Sequence, residues 1–528
     1  MTTFIAITPL SAFLRPMKSA WHPASTKGRP MPSSLVAARA QSPRIGSTTP
    51  FVARLLLAAI AASMAMPAGA FSGGSSVPFE GALRRAVAIK GAADQRFDLA
   101  ERMAHYRVPG VSIAVIENCR IVDARGFGLR TWGGDPVSAE TIFQAGSISK
   151  SVTAIGALRL FERGTLALDR DVRLQMKGWA YKDTLEPVTL RHLLAHTAGT
   201  NVAGMKGYLP GAPLPSTEQI LKGEKPSNIP AIIVESEPGS RWRYSGGGYV
   251  VAQSLMSEAT GKDFAPLMQD LVLKPLAMTR SSYEQPLPQS RHAAAAEATS
   301  ADGSALPGKW RTYPEMAAAG LWTTPSDLAR FAIGLARSAR GDESAILNKS
   351  ANDQLMTRGL GNWGLGVNLG PDVGVRQISH TGKTIGFTSM FIIYPDHCQG
   401  AVVMTNGYDG GWLINEIMGA IGDVYQWPGR QEPAVQATIP LTEAITRRFA
   451  GNYRLKDFPA ERFSISRDAH GDLRWAREGH VGRTLLPATP AKLFSPDSFM
   501  TIESPDPDRA ATVTLSFDGG SNIAERID

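Results

Sequence analysis

Ser147 and Lys150 stand three residues apart in the stretch Phe143-Gln144-Ala145-Gly146-Ser147-Ile148-Ser149-Lys150-Ser151-Val152-Thr153-Ala154-Ile155. On a helix that spacing puts a hydroxyl and an amine one above the other on the same face. Between Ser147 and Leu158 the only charge is Lys150, and its neighbours Ile148, Val152, Ala154, Ile155, Ala157 and Leu158 are apolar enough to bury the helix nearly all round. Burial disfavours an ammonium and lowers its pKa, which makes the lysine a proton acceptor for the serine hydroxyl. The free N–H of Ser147 at the helix start faces the oxyanion that attack on a carbonyl would form. Nucleophile, base and one oxyanion donor thus come from a single turn. Ser147 is the only serine in the chain with a lysine three residues on.

The elements around this turn follow from local patterns. Val108–Gly128 reads as a hairpin that turns at Glu117-Asn118-Cys119-Arg120, and the serine helix is expected to end near Gly164. Thr189–Gly199 reads as a capped helix running into a loop. His192 and His196 in it have the spacing of a zinc pair, but Leu193 stands where a metalloprotease carries glutamate, so no metal is expected. Gly, Pro and Lys between Met205 and Ile229 predict a long irregular loop walling a cleft. Gly246-Gly247-Gly248 match neither phosphate-binding pattern and are expected to turn the backbone sharply before a helix over Val250–Thr260. A helix over Leu328–Ala336 has Ser326 or Asp327 as its expected cap. Ser379 opens a strand segment continuing through Phe387–Tyr394, and Gly400–Thr405 pairs with it across Pro395-Asp396. Period-two alternation at Phe463/Ile465, Leu473/Trp475 and Val513/Leu515/Phe517 predicts a separate C-terminal β module.

Length and composition bound the class. The chain has 528 residues, 43% hydrophobic and 19% charged, as in a folded globular protein with room for a second module. Its net charge of +8 misleads, because seven basic residues and no acidic one precede Glu80, which leaves about +1 for the remainder. A nucleic-acid partner loses its support. The leader ends in Arg54, an apolar run Leu55–Met66, and Pro67-Ala68-Gly69-Ala70, the order of an export signal cleaved after Ala70. The expected location is therefore periplasmic or secreted. Retention as a membrane anchor over residues 55–70 and an organelle transit peptide are the alternatives.

Ser147-x-x-Lys150, Tyr244-Ser245-Gly246 and His380-Thr381-Gly382, in this order and spacing, resemble the three active-site motifs of the serine penicillin-recognising hydrolases, specifically the class C β-lactamase-related family. Pro109-Gly110-Val111, LRHLLAHTAG, EPGSRWRYSGGGY, Lys274-Pro275-Leu276-Ala277-Met278 and GLWTTPSDLARF are similar to the same family, and the resemblance covers about Val108 to Trp427. It implies an α/β (α+β) fold, an antiparallel sheet flanked by helices with an all-helical subdomain. The domains would be a leader over 1–70, a hydrolase domain over 71–430 and a barrel-like β domain over 431–528.

The resemblance also implies roles. Ser147 would be acylated, Lys150 and Tyr244 would share its proton, and the N–H groups of Ser147 and Lys383 would form the oxyanion hole. His380, Thr381, Gly382 and Gly246 would line the substrate site. Two nearby cations would favour the phenolate of Tyr244. Cys119 and Cys398, in hairpin turns that the family's sheet places side by side, would form a disulfide. No metal or cofactor is implied.

Two departures bear on the substrate. Gly246 stands where the family has an asparagine amide, and His380 stands where β-lactamases commonly carry lysine. If an anionic substrate is used, its binding is expected to tighten as pH falls through the His380 titration. The expected activity is an exported serine hydrolase acting on a small ester or amide through an acyl-enzyme. The alternatives are a β-lactamase or D-alanyl-D-alanine carboxypeptidase acting on a peptidoglycan-derived substrate, and a non-catalytic penicillin or cell-wall sensor.

Overall fold

The computed structural model describes residues 78–181, 186–430, 432–517 and 520–528. The leader, with its expected export signal and cleavage point, lies outside them.

A five-stranded antiparallel sheet carries the first part of the chain. Its strands are β1 (Gly110–Glu117), β2 (Arg120–Gly128), β3 (Ile378–Thr384), β4 (Phe387–Tyr394) and β5 (Gln399–Thr405), in the spatial order β2-β1-β5-β4-β3. The first hairpin pairs with the last strand, Ile113 opposite Val403, and β3 is left at an edge. Strand β4 is buried along its whole length. Phe391 and Ile393 join one core while Met390, Ile392 and Tyr394 join another on the opposite face. This is the alternation expected of a strand covered on both sides.

Helices supply the two covers. On one side lie the serine helix α1 (Ile148–Glu162), α2 (Gly246–Thr260) and α3 (Pro325–Arg340), with shorter helices among them. On the other lies α4 (Gly410–Val424), whose Leu413, Ile414, Ile417 and Ile421 meet Val111, Ile113 and Val115. From Ile148 to Leu158 every residue of α1 is buried, so the helix has no solvent face, and Lys150 is enclosed with it. Cys119 and Cys398 are joined by a disulfide between the two hairpin turns, Cα to Cα 5.0 Å.

Beyond Ala434–Gln436, eight antiparallel strands from Gly451–Leu455 to Gly520–Arg526 close into a barrel. Tyr453, Phe463, Ile465, Leu473, Trp475, Val513 and Leu515 meet in its core, and Phe517 is only partly buried against it. A buried ion cluster ties barrel to hydrolase domain. The Arg102 guanidinium donates to both oxygens of Glu416, at 2.7 and 2.5 Å, and to Asp497 of the barrel at 3.0 Å.

Four local expectations differ from the structure. The stretch 205–229 contains a helix, Thr217–Lys222, closed by a Ser216 capping box. Gly246–Gly248 do not turn the backbone sharply but form the first turn of α2, with the Ser245 hydroxyl accepting from the Gly248 N–H. Gly247 is closely packed, since a Cβ there would sit 3.1 Å from Val202 and 3.2 Å from Ile232. Helix α3 begins at Pro325 and is capped by Thr324, which accepts from the Asp327 N–H, rather than by Ser326 or Asp327. Residues 378–394 form two strands, because Gly386 at φ 81° reverses the chain between them.

Candidate active site

The turn Ala145-Gly146-Ser147 is shaped by the edge strand it faces. Gly146 has φ 53°, a left-handed conformation that favours glycine, and a Cβ there would lie 2.6 Å from the Lys383 nitrogen. Ser147 follows with helical dihedrals just before α1. Its backbone and the Lys383 N–H region are thereby brought together across the gap between α1 and β3.

Lys150 rises from the first turn of α1 beneath Ser147. Its Nζ is 3.0 Å from Ser147 Oγ and 2.8 Å from the Ala318 carbonyl oxygen. The two residues are 3% and 5% exposed. Burial alone lowers the Lys150 pKa to about 7, so near neutral pH a large share of the amine is unprotonated and able to accept a proton.

Tyr244 arrives from the segment leading into α2, and its ring centroid lies 5.0 Å from Lys150 Nζ. Its hydroxyl is buried and faces the Ser147 side chain. Burial pushes the phenol well above its usual range, with the Ser147 side chain opposing. The expectation that two cations favour a phenolate is therefore corrected. His380 is 2% exposed. Burial first, then the charge of Lys150, holds it down to about 3, against the opposing bond to Thr381. Its Nδ1 lies 2.5 Å from the Thr381 carbonyl oxygen. The imidazole is neutral between pH 5 and 8, so the expected titration of substrate binding by His380 in that window is absent.

The remaining sequence-predicted residues also gather here. A Cβ on Gly382 would lie 1.8 Å from the Ala145 oxygen, Thr381 is half-buried on β3, and a Cβ on Gly246 would meet the Met205 methyl at 2.9 Å. His192 is occupied in the Thr189 capping box.

Sequence reasoning missed an aromatic enclosure. Trp363 packs edge-to-face on His380 and on His196, each 5.1 Å away, and Trp242 stacks on Trp363 at 5.8 Å. The signals for it are the family-like stretches LRHLLAHTAG, which holds His196, and EPGSRWRYSGGGY, which holds Trp242. It also missed Glu315, a fully buried carboxyl whose pKa burial raises to about 7. Its position in the chain carries no pattern that marks it.

A buried Ser-Lys-Tyr cluster at a helix start, opposite an edge strand of a helix-covered antiparallel sheet, defines a serine hydrolase of the β-lactamase and transpeptidase fold. The beta-lactamase family model matches residues 98–414, more than half the chain. This chain belongs to that family. A penicillin-binding protein of Bacillus subtilis (strain 168) is 25% identical over 413 residues, 73% of this chain and 87% of that protein. Esterase EstB of Burkholderia gladioli is 29% identical over 217 residues, 39% of this chain and 54% of the esterase. Among solved structures, the octameric penicillin-binding protein homologue from Pyrococcus abyssi shares the fold, with a TM-score of 0.54 and 23% identity over 81% of this chain and 98% of that one.

Proposed function

We propose that this serine hydrolase cleaves a small ester or amide through an acyl-enzyme on Ser147. The observation that carries the reading is the 3.0 Å contact between Lys150 Nζ and Ser147 Oγ, with both side chains buried. Neutral Lys150 takes the Ser147 proton as Oγ bonds to the substrate carbonyl carbon. The oxyanion lies against the N–H groups of Ser147 and Lys383. As the bond to the leaving group breaks, Tyr244 gives it a proton, and Lys150 returns one to Tyr244. The serine proton has then reached the leaving group, and water removes the acyl group by the reverse relay.

His380 and Gly246 favour an ester or loosely held amide over a β-lactam. A neutral imidazole attracts a carboxylate less than an ammonium would, and the space beside Gly246 is filled by the Met205 methyl where a substrate amide would seek a partner. A β-lactamase or D-alanyl-D-alanine carboxypeptidase activity on peptidoglycan-derived substrates is the second reading, supported by likeness to the Bacillus penicillin-binding protein. Export to the periplasm or medium is supported by the leader pattern and by the Cys119–Cys398 disulfide, which suits an oxidising compartment.

A fluorophosphonate should label Ser147, and the wild type but not Ser147→Ala should turn over p-nitrophenyl esters. Permanent labelling by penicillin without ester turnover would instead identify a sensor.

A further inference from the structure

His196 has no part in the proton relay, yet it is built into the same enclosure and is 1% exposed. Its backbone is left-handed, φ 60°, which for a bulky residue needs support from its surroundings. That conformation lets one residue hold the chain on both sides of Tyr244. The His196 carbonyl oxygen accepts from the Arg243 N–H at 2.8 Å, and His196 Nδ1 accepts from the Ser245 N–H at 3.1 Å. Because Nδ1 accepts, the ring proton is on Nε2. Between these two anchors the imidazole lies along the phenol, ring centroids 4.3 Å apart at 36°. Trp363, edge-on at 5.1 Å, and Tyr249 at 5.4 Å fix the imidazole in turn.

We infer that His196 is the positioning residue for Tyr244, gripping the backbone at residues 243 and 245 and stacking on the ring between them so that the phenol hydroxyl meets Ser147. This rests on the proton relay proposed above. The groups facing the imidazole are Lys150 from α1, Tyr249 from α2, His380 from β3 and Tyr244 itself. Burial first, then the charge of Lys150, keeps His196 neutral. The grip therefore does not loosen near neutral pH.

A positioning role acts through Tyr244 alone, and Tyr244 matters most where the leaving group needs a proton. His196→Phe keeps a ring but removes the acceptor for the Ser245 N–H. It should lower kcat/KM, which reports acylation, by about 30-fold for an ethyl ester while changing it by less than about threefold for the p-nitrophenyl ester of the same acid. His196→Asn tolerates the left-handed backbone and keeps an acceptor at the same branch point, so it should recover part of the ethyl-ester loss. In the Tyr244→Phe background, His196→Phe should add less than about a twofold loss.

Equal losses on both esters, or losses that multiply in the double variant, would overturn the assignment. Fluorophosphonate labelling and thermal melting of each variant check that it is folded, and His196→Asn carries the cycle should His196→Phe not fold. A wild type that turns over neither ester would sink the proton relay instead.

Discussion

Gly382 and Ala145 touch backbone to backbone: a single carbon added to Gly382 would come within 1.8 Å of the Ala145 carbonyl oxygen and within 2.5 Å of Ser389 Oγ. The edge strand and the serine turn are thus held at a separation that no side chain at residue 382 can enter. Neither backbone is free to yield, because β3 pairs with β4 along its length and Ala145 N–H bonds Leu321 O at 2.9 Å. Gly382→Ala is expected to push the two apart, moving the Lys383 N–H away from Ser147. Losing one oxyanion donor costs about 100- to 1000-fold in kcat. The check is kcat for a p-nitrophenyl ester beside a thermal melt, with a larger fall in activity than in stability.

The pH dependence of acylation should follow Lys150. Burial depresses its pKa from 10.5 to about 7, so the reactive neutral amine disappears as pH falls below that value. The rate of ester turnover should drop about tenfold per pH unit below 7 and level off above it. Lys150→Arg, which stays charged, should remove the rising limb together with most of the activity. A stopped-flow acylation profile from pH 5 to 9 measures both.

His380 should contribute no pH dependence to the binding of a carboxylate-bearing substrate between pH 5 and 8, since burial keeps it neutral down to about 3, and any change near pH 7 should follow Lys150. His380→Lys should add a dependence on charge, tightening such substrates relative to their neutral isosteres. KM measured for the two substrates across that range gives the answer.

Glu315 should make the fold weaker in base than in acid. Its carboxyl is buried at 0% exposure and its pKa is raised from 4.5 to about 7. The folded state therefore holds a proton that the unfolded state has already lost between pH 4.5 and 7, and stability falls as pH rises through that window. Glu315→Gln should be the more stable protein at pH 8, by up to about 3 kcal/mol, and the gain should shrink at pH 5. Urea denaturation at the two pH values reads the difference.

Removing one partner from the ion cluster between hydrolase domain and barrel should be costly. Arg102, Glu416 and Asp497 have side chains only 3%, 3% and 1% exposed, and Tyr106 donates to Glu416 at 2.7 Å. Glu416→Ala leaves the guanidinium buried with one carboxylate and should cost about 3–5 kcal/mol. Loss of cooperativity in the melt would show that the barrel has come loose from the hydrolase domain.

Local physics made the serine turn legible before any fold was known. A single charge in an otherwise apolar helical run points to a buried amine, and a serine three residues earlier lies above it; with the two further motifs this marked Ser147 and Lys150. The barrel strands were legible for the same reason, since period-two burial is written residue by residue at Phe463/Ile465 and Leu473/Trp475. Caps and turns were less so. Thr324, Ser326 and Asp327 are all good caps, and only the path of the chain before α3 chose Thr324.

What tertiary structure alone decided is the charge state of the site and the identity of its supports. The resemblance of three motifs grouped a tyrosine and a histidine with a lysine, but the ionisation of each depends on burial by segments distant in the chain. Enclosure by Trp242, Trp363 and His196 keeps His380 and Tyr244 neutral where neighbouring charges suggested otherwise. Glu315 and the Ala318 carbonyl bear no mark in the sequence, and the LRHLLAHTAG stretch marks His196 without its role, because these roles arise from long-range packing, and burial, unlike periodicity, is a property of the whole chain.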